Sequence, residues 1–154
     1  MQVADFLQPE NVIVDLIAPS KQSVLQIVSE KAGRALGIDE ARIFQPLQSR
    51  ERLGSTGIGE GIAIPHTRIA GIVRPFGLLA RLSKSVEFDS IDDVRVDLVF
   101  VLLLPADGAT DHLNTLACTA RQLRAPDILR RMRQARDATQ LYAAITAQVP
   151  AMAR

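Results

Sequence analysis

The sequence predicts an α/β fold in a single domain, and three observations carry that expectation. Short β-branched and aliphatic runs at 11–16, 62–64, 76–82 and 96–104 alternate with longer segments whose apolar residues recur at helical spacing. No internal repeat or low-complexity tract divides the chain, so residues 1–154 are expected to form a single domain. The most apolar run, 96–104, is too short to cross a bilayer and rich in Val and Leu, as a strand buried on both faces would be.

The elements follow in order. Residues 11–16 (Asn-Val-Ile-Val-Asp-Leu) lie between Pro9 and Pro19 and read as a strand. Ser20 offers an N-cap to a helix over 21–36, with Val24, Ile27, Val28, Lys31, Ala32, Ala35 and Leu36 on one stripe and Gly37 as its stop. Asp39 is placed to cap a second helix with Ile43, Phe44, Leu47 and Leu53 facing inward, and Pro46 is expected to kink or split it. Residues 67–75 read as a loop, 76–82 as a strand and 83–94 as turn and loop. Beyond the strand at 96–104, Thr110 or Asp111 is a candidate cap for a helix carrying Leu113, Leu116, Ala117, Ala120 and Leu123. Pro126 opens a further helix with Ile128, Leu129 and Met132, and Asp137 caps a last one with Leu141, Tyr142 and Ile145.

Charge excludes little but directs attention. Lys plus Arg number 18 against 17 Asp plus Glu, so a net +1 recommends neither nucleic acid nor an anionic membrane as partner. A single cysteine, Cys118, leaves no intramolecular disulfide and no multi-cysteine metal site; in its apolar helical setting it reads as a small buried thiol. The N-terminus lacks a basic segment followed by an apolar core, and a soluble cytoplasmic protein is expected.

The stretch Gly54-Ser55-Thr56-Gly57-Ile58-Gly59-Glu60-Gly61-Ile62-Ala63-Ile64-Pro65-His66-Thr67 organises the chain. Its glycines permit tight turns and close approach of another molecule, and they feed a short strand that Pro65 should end or confine to a sheet edge. His66, one of two histidines, is thereby presented at a rigid position. A neutral imidazole, with a reference pKa of about 6.5, is a nucleophile that needs no prior deprotonation, so phosphoryl transfer is the chemistry this pattern invites. Arg50, Ser55, Thr56 and the glycine amides are candidate donors to phosphoryl oxygens, with His112 in a helix first turn as a second imidazole. The duller reading keeps His66 as a turn residue and His112 as a capping or surface one.

Other patterns carry less. Residues 57–62 lack the third glycine of G-x-G-x-x-G and precede a strand rather than a helix, and there is no G-x-x-x-x-G-K-[ST]. His66 and His112 with Asp111 offer metal ligands but no H-x-x-x-H or H-E-x-x-H spacing. Arg121, Arg124, Arg130, Arg131, Arg133 and Arg136 form a basic block that is either a solvated helix face or a docking site for an acidic partner; RNA ranks third because interleaved aromatics are missing.

Gly59-Glu60-Gly61-Ile62-Ala63-Ile64-Pro65-His66, with Arg50-Glu51-Arg52-Leu53-Gly54-Ser55-Thr56-Gly57 before it and Asp111-His112-Leu113-Asn114-Thr115-Leu116 after it, resembles the fructose/mannitol-type IIA domains of the phosphoenolpyruvate-dependent phosphotransferase system. The resemblance covers nearly the whole chain, and it implies a mixed β-sheet flanked by α-helices, consistent with the element order above. The Gly-Ser-Thr-Gly-Ile-Gly run and the lack of an attached IIB segment make it most like the free-standing nitrogen-regulatory branch. That resemblance implies His66 as the phosphorylated residue at Nε2, His112 as the second active-site histidine and Arg50 as the active-site arginine. It implies phosphate arriving from an HPr-like phosphocarrier charged by Enzyme I, with no metal or nucleotide cofactor at this step. It further implies regulated partners such as potassium-transport and sensor-kinase systems, or, if the chain is a detached sugar-specific IIA, onward transfer to a IIB domain. Thr67 stands where many relatives have glycine; its hydroxyl is a candidate phosphate ligand on a bulkier docking surface.

Overall fold

The computed structural model describes residues 1–107 and 112–148. After a 3-10 turn at Val3–Asp5 come β1 (Leu7–Leu16), α1 (Lys21–Leu36), α2 (Ala41–Leu53), β2 (Gly57–Gly59), β3 (Ile62–Ala63), β4 (His66–Ile69), β5 (Phe76–Val86), β6 (Val96–Pro105), α3 (His112–Arg124), α4 (Pro126–Gln134) and α5 (Ala138–Thr146). The sheet runs β1-β5-β6-β3-β2, with β4 also on β6. β5 and β6 pair antiparallel, β1 lies parallel to β5, and β3 and β4 lie parallel to β6. The mixed, helix-flanked sheet that the sequence predicts is the observed architecture.

β6 shows why its sequence is apolar throughout. Leu98, Phe100 and Leu102 join the core under α3, α4 and α5 with Leu123, Met132, Leu141 and Ile145. Val99, Val101 and Leu103 join the opposite core under α1 and α2 with Val24, Val28, Ile43 and Leu47. Alternating side chains thus serve two cores, and the one polar position, half-buried Asp97, sits near the start of the strand.

Local signals set several boundaries. Ser20 Oγ accepts the backbone N–H of Ser23, and Gly37 closes α1 in the left-handed region at φ 69°. Pro126 occupies the first turn of α4, and Asp137 Oδ1 accepts Gln140 N–H at the start of α5. Cys118 is buried, with its thiol toward Met1 O.

Other expectations need correction. β1 begins at Leu7 and runs through Pro9, which an edge strand tolerates because no ladder N–H is needed there; the β1–β5 register shifts between Leu7 and Val12. α2 is not split at Pro46: Ile43 and Leu47 are buried on either side of it, and their packing offsets the lost helical hydrogen bond. Leu53, expected on the inner stripe, is 85% exposed. Residues 67–69 are not loop but part of β4, and 83–86 extend β5. The inner face of α3 is His112, Thr115, Cys118, Thr119 and Leu123, whereas Leu113 is 81% exposed. Thr119 Oγ1 donates to Thr115 O, so the Thr119 hydroxyl is satisfied within the helix. The candidate caps Thr110 and Asp111 lie outside the described residues.

Candidate functional site

β3 and β4 lie along one side of β6, with Ile62 opposite Leu98 and His66 opposite Leu102. Pro65, which has no N–H, falls in the break between them, and its carbonyl accepts Leu102 N–H at 2.9 Å. His66 is therefore the first residue of a resumed strand rather than the last of a finished one. Its backbone is fixed by the central strand of the fold.

Ahead of it, β2 and β3 form a short antiparallel hairpin whose turn carries positive φ at Gly59, Glu60 and Gly61. A side chain at Gly61 would also meet Arg133 Nη2 at 2.5 Å and Asp97 Oδ1 at 2.9 Å. Two arginines of the basic block hold this hairpin. Arg124 Nη2 donates to Ile58 O at 2.9 Å, and Arg133 donates to Glu60 O while pairing with both oxygens of Asp97. Arg130 pairs with Asp127 on its own helix, and Arg121, Arg131 and Arg136 stay exposed. The block is thus divided between fastening and solvation.

An open cavity of about 410 Å³ is lined by Arg50, His66, Thr67, Arg68, Leu104, His112, Leu113 and Leu116. Four elements supply it: the last turn of α2, the start of β4, the end of β6 and the start of α3. His66 is half-buried, and its Nδ1 lies 2.8 Å from Ile64 O. A carbonyl only accepts, so Nδ1 carries the hydrogen and Nε2 keeps its lone pair. Burial holds the His66 pKa below 6.5. The Ile64 carbonyl opposes that shift, the Arg50 charge adds to it, and the Glu51 charge opposes it.

His112 is 7% exposed, and neither ring nitrogen has a hydrogen-bond partner among the described residues. Such a ring is costly unless something arrives to meet it. Arg50 lines the same cavity and donates from Nη1 to Gly54 O at 3.0 Å, which ties the arginine to the turn that follows its helix. Further donors on the guanidinium remain for an anion.

Thr67 lines the cavity, but Ser55 and Thr56 do not. Ser55 Oγ donates to Phe88 O at 2.6 Å, and Thr56 Oγ1 donates to Glu51 Oε1 at 2.6 Å. A hydroxyl has one hydrogen, so neither can also donate to phosphate without giving up its present bond. The sequence expectation for these two is corrected to fastening the loop. Arg68 was missed; it stands two residues beyond His66 on the same strand, and period-two spacing was the signal that would have found it. The exposed wall residue Leu113 was assigned to the core instead.

Among the described residues no group of three or more His, Cys, Asp or Glu side chains is arranged to hold a metal, and no helix is long and apolar enough to cross a membrane. Asp111, weighed with the two histidines as a ligand, lies outside the described residues.

A family model described as the phosphoenolpyruvate-dependent sugar phosphotransferase system, EIIA 2, matches residues 5–148. A nitrogen regulatory protein of Bradyrhizobium diazoefficiens is 41% identical over 145 residues, covering 94% of this chain and 95% of that protein. One from Escherichia coli K12 is 39% identical over 147 residues, covering 95% and 90%. The crystal structure of the nitrogen regulatory protein IIA-Ntr from Neisseria meningitidis superposes with a TM-score of 0.87 at 30% identity, covering 94% of this chain and 99% of that one.

Proposed function

This chain belongs to the EIIA 2 family of the phosphoenolpyruvate-dependent sugar phosphotransferase system, and on that premise we propose that it is a nitrogen-regulatory IIA protein that takes a phosphoryl group on His66. The donor is an HPr-like phosphocarrier, itself charged through Enzyme I. Phosphorylation then changes which target proteins the chain binds, potassium-transport and sensor-kinase systems being the kind its family resemblance suggests. The carrying observation is the single cavity wall that holds Arg50, His66 and His112.

The chemistry is an in-line transfer. The Nε2 lone pair of neutral His66 attacks phosphorus; the new P–N bond forms as the bond to the carrier breaks, and its electron pair returns to the carrier. No proton has to move, because Nδ1–H stays on Ile64 O throughout. Arg50 stabilises the charge on the equatorial oxygens, and the unpartnered nitrogens of His112 are at hand to meet a phosphoryl oxygen or the neighbouring ring. Exposed Leu113 and half-buried Leu116 give the carrier an apolar landing beside the reacting atoms.

Incubation with phosphoenolpyruvate, Enzyme I and a matched carrier should place an acid-labile phosphate on His66. Label of wild-type intensity on His66→Ala would defeat the assignment. Adding IIB domains to the phosphorylated protein then separates regulation from sugar uptake: slow or no onward transfer is expected, and rapid transfer would make the chain a detached sugar-specific IIA.

A further inference from the structure

Behind the cavity runs a hydrogen-bonded path of which the transfer step above uses only the last link, from His66 Nδ1 to Ile64 O. It starts at Glu51, whose side chain is 4% exposed and whose two carboxylate oxygens are both engaged. Glu51 Oε2 accepts the Thr56 backbone N–H at 2.8 Å and pairs with Lys21 Nζ at 2.9 Å, while Oε1 accepts the Thr56 hydroxyl at 2.6 Å. Thr56 O in turn accepts Ile64 N–H at 3.0 Å, and Ile64 O is the group on His66 Nδ1. Four segments separated in sequence, α1, the end of α2, the glycine loop and the β3–β4 break, are joined link by link to one imidazole nitrogen.

We propose that Glu51, seated by Lys21, is a positioning residue for His66: by gripping Thr56 at both its amide and its hydroxyl, it sets the Ile64 carbonyl that fixes the His66 ring and its Nδ1–H tautomer. The inference rests on the phosphoryl-acceptor reading of His66 but is tested separately from it.

Several features make Glu51 more than a buried ion pair. Lys21 does not depend on it alone, since its ammonium also reaches Asp89 at 3.6 Å and Phe88 O at 3.3 Å and lies over the Phe88 ring. Among the described residues the Thr56 hydroxyl has no other partner. Glu51 also neighbours Arg50 in the same helical turn, and the two grip opposite ends of one loop, Arg50 at Gly54 O and Glu51 at Thr56 N–H. A shift of α2 therefore moves the anion-binding guanidinium and the nucleophile's support together. Where an imidazole must attack through one nitrogen, the group behind the other nitrogen decides how often it is ready.

The test uses the full chain. Replacing the pair by apolar residues of similar volume, Lys21→Met with Glu51→Leu, keeps the packing and removes an ion pair whose net contribution to stability is small, but frees Thr56. Nitrogen-15 spectra of the imidazoles should show wild-type His66 as one tautomer with hydrogen on Nδ1, and a mixture in the double variant. Turnover in phosphate uptake should fall about ten- to a hundredfold, as when an outer partner of a working imidazole is lost, with the carrier's KM little changed. Glu51→Gln should restore both, because its amide oxygen accepts Thr56 N–H and its amide nitrogen replaces the hydroxyl contact. If the double variant does not fold, Glu51→Met with Lys21 kept on Asp89 gives the same readings. A wild-type tautomer and rate in either apolar variant overturns the inference, as does equal loss in Glu51→Gln with an unchanged ring spectrum. Failure of the wild-type protein to take phosphate sinks the functional reading instead, while the ring spectra still decide the positioning role.

Discussion

Ile64 O and His66 Nδ1 lie 2.8 Å apart across a single intervening proline, so the main chain itself dictates which nitrogen of the ring is engaged and which keeps its lone pair. On the proposed phosphoryl-acceptor reading, the phosphate is expected at Nε2. His66→Ala should abolish phosphate uptake while changing stability by less than about 1 kcal/mol, since the ring is only half-buried. Mass spectrometry of the labelled protein and a thermal melt check the two halves.

The His66 pKa sits below 6.5, chiefly through burial. The ring is then mostly neutral at pH 6.5, and uptake should persist below that value before falling as His66 protonates. Stability follows the same sign: between pH 6.5 and the lower folded pKa the unfolded chain binds more protons, so stability declines as pH drops through that window. An NMR titration placing His66 at or above 6.5 would contradict this.

His112 is buried with both nitrogens unmatched among the described residues, a cost to the resting protein. His112→Leu should raise stability by about 1 kcal/mol and slow phosphate uptake. Denaturant midpoints compared with initial rates give the answer; a faster variant would remove His112 from the site.

Arg50 holds Gly54 O and still faces the cavity. Arg50→Lys keeps the charge but loses the planar fork, and transfer should slow by roughly tenfold, ~1.4 kcal/mol of transition-state stabilisation. Full activity would argue against direct phosphate contact.

Gly61 has φ +79° and no room for a Cβ beside Arg133 and Asp97. Gly61→Ala should cost ~1–3 kcal/mol, read as a lowered melting temperature, because it strains the turn and pushes Arg133 off Glu60 O.

Much of this was legible in the one-dimensional chain. The caps of α1 and α5 and the first-turn proline of α4 are short-range effects, in which a side chain meets a backbone group three residues away or a ring fixes one φ. The reactive pattern was legible too, because few contexts place glycines, a proline and a histidine in that order. Less legible was α3, whose spacing suits an apolar stripe through Leu113 but whose buried face carries His112, Thr115 and Thr119. A hydroxyl that satisfies itself on the preceding turn is as buriable as a methyl group, and spacing does not report that. Ser55 and Thr56 failed for a related reason: a donor's availability depends on partners far off in sequence, here Phe88 O and the Glu51 carboxylate.

By itself, then, the sequence determined the alternation of strands and helices, the doubly covered strand at its centre and the histidine proposed as nucleophile, all of which follow from residue type and short-range spacing. Only the tertiary structure decided which arginines fasten and which are free, which hydroxyls are spent, and that Lys21, Glu51, Thr56 and Ile64 stand in line behind His66. Those are pairings between segments tens of residues apart, and hydrogen bonds of about 3 Å depend on where packing brings the chain, which no local pattern encodes.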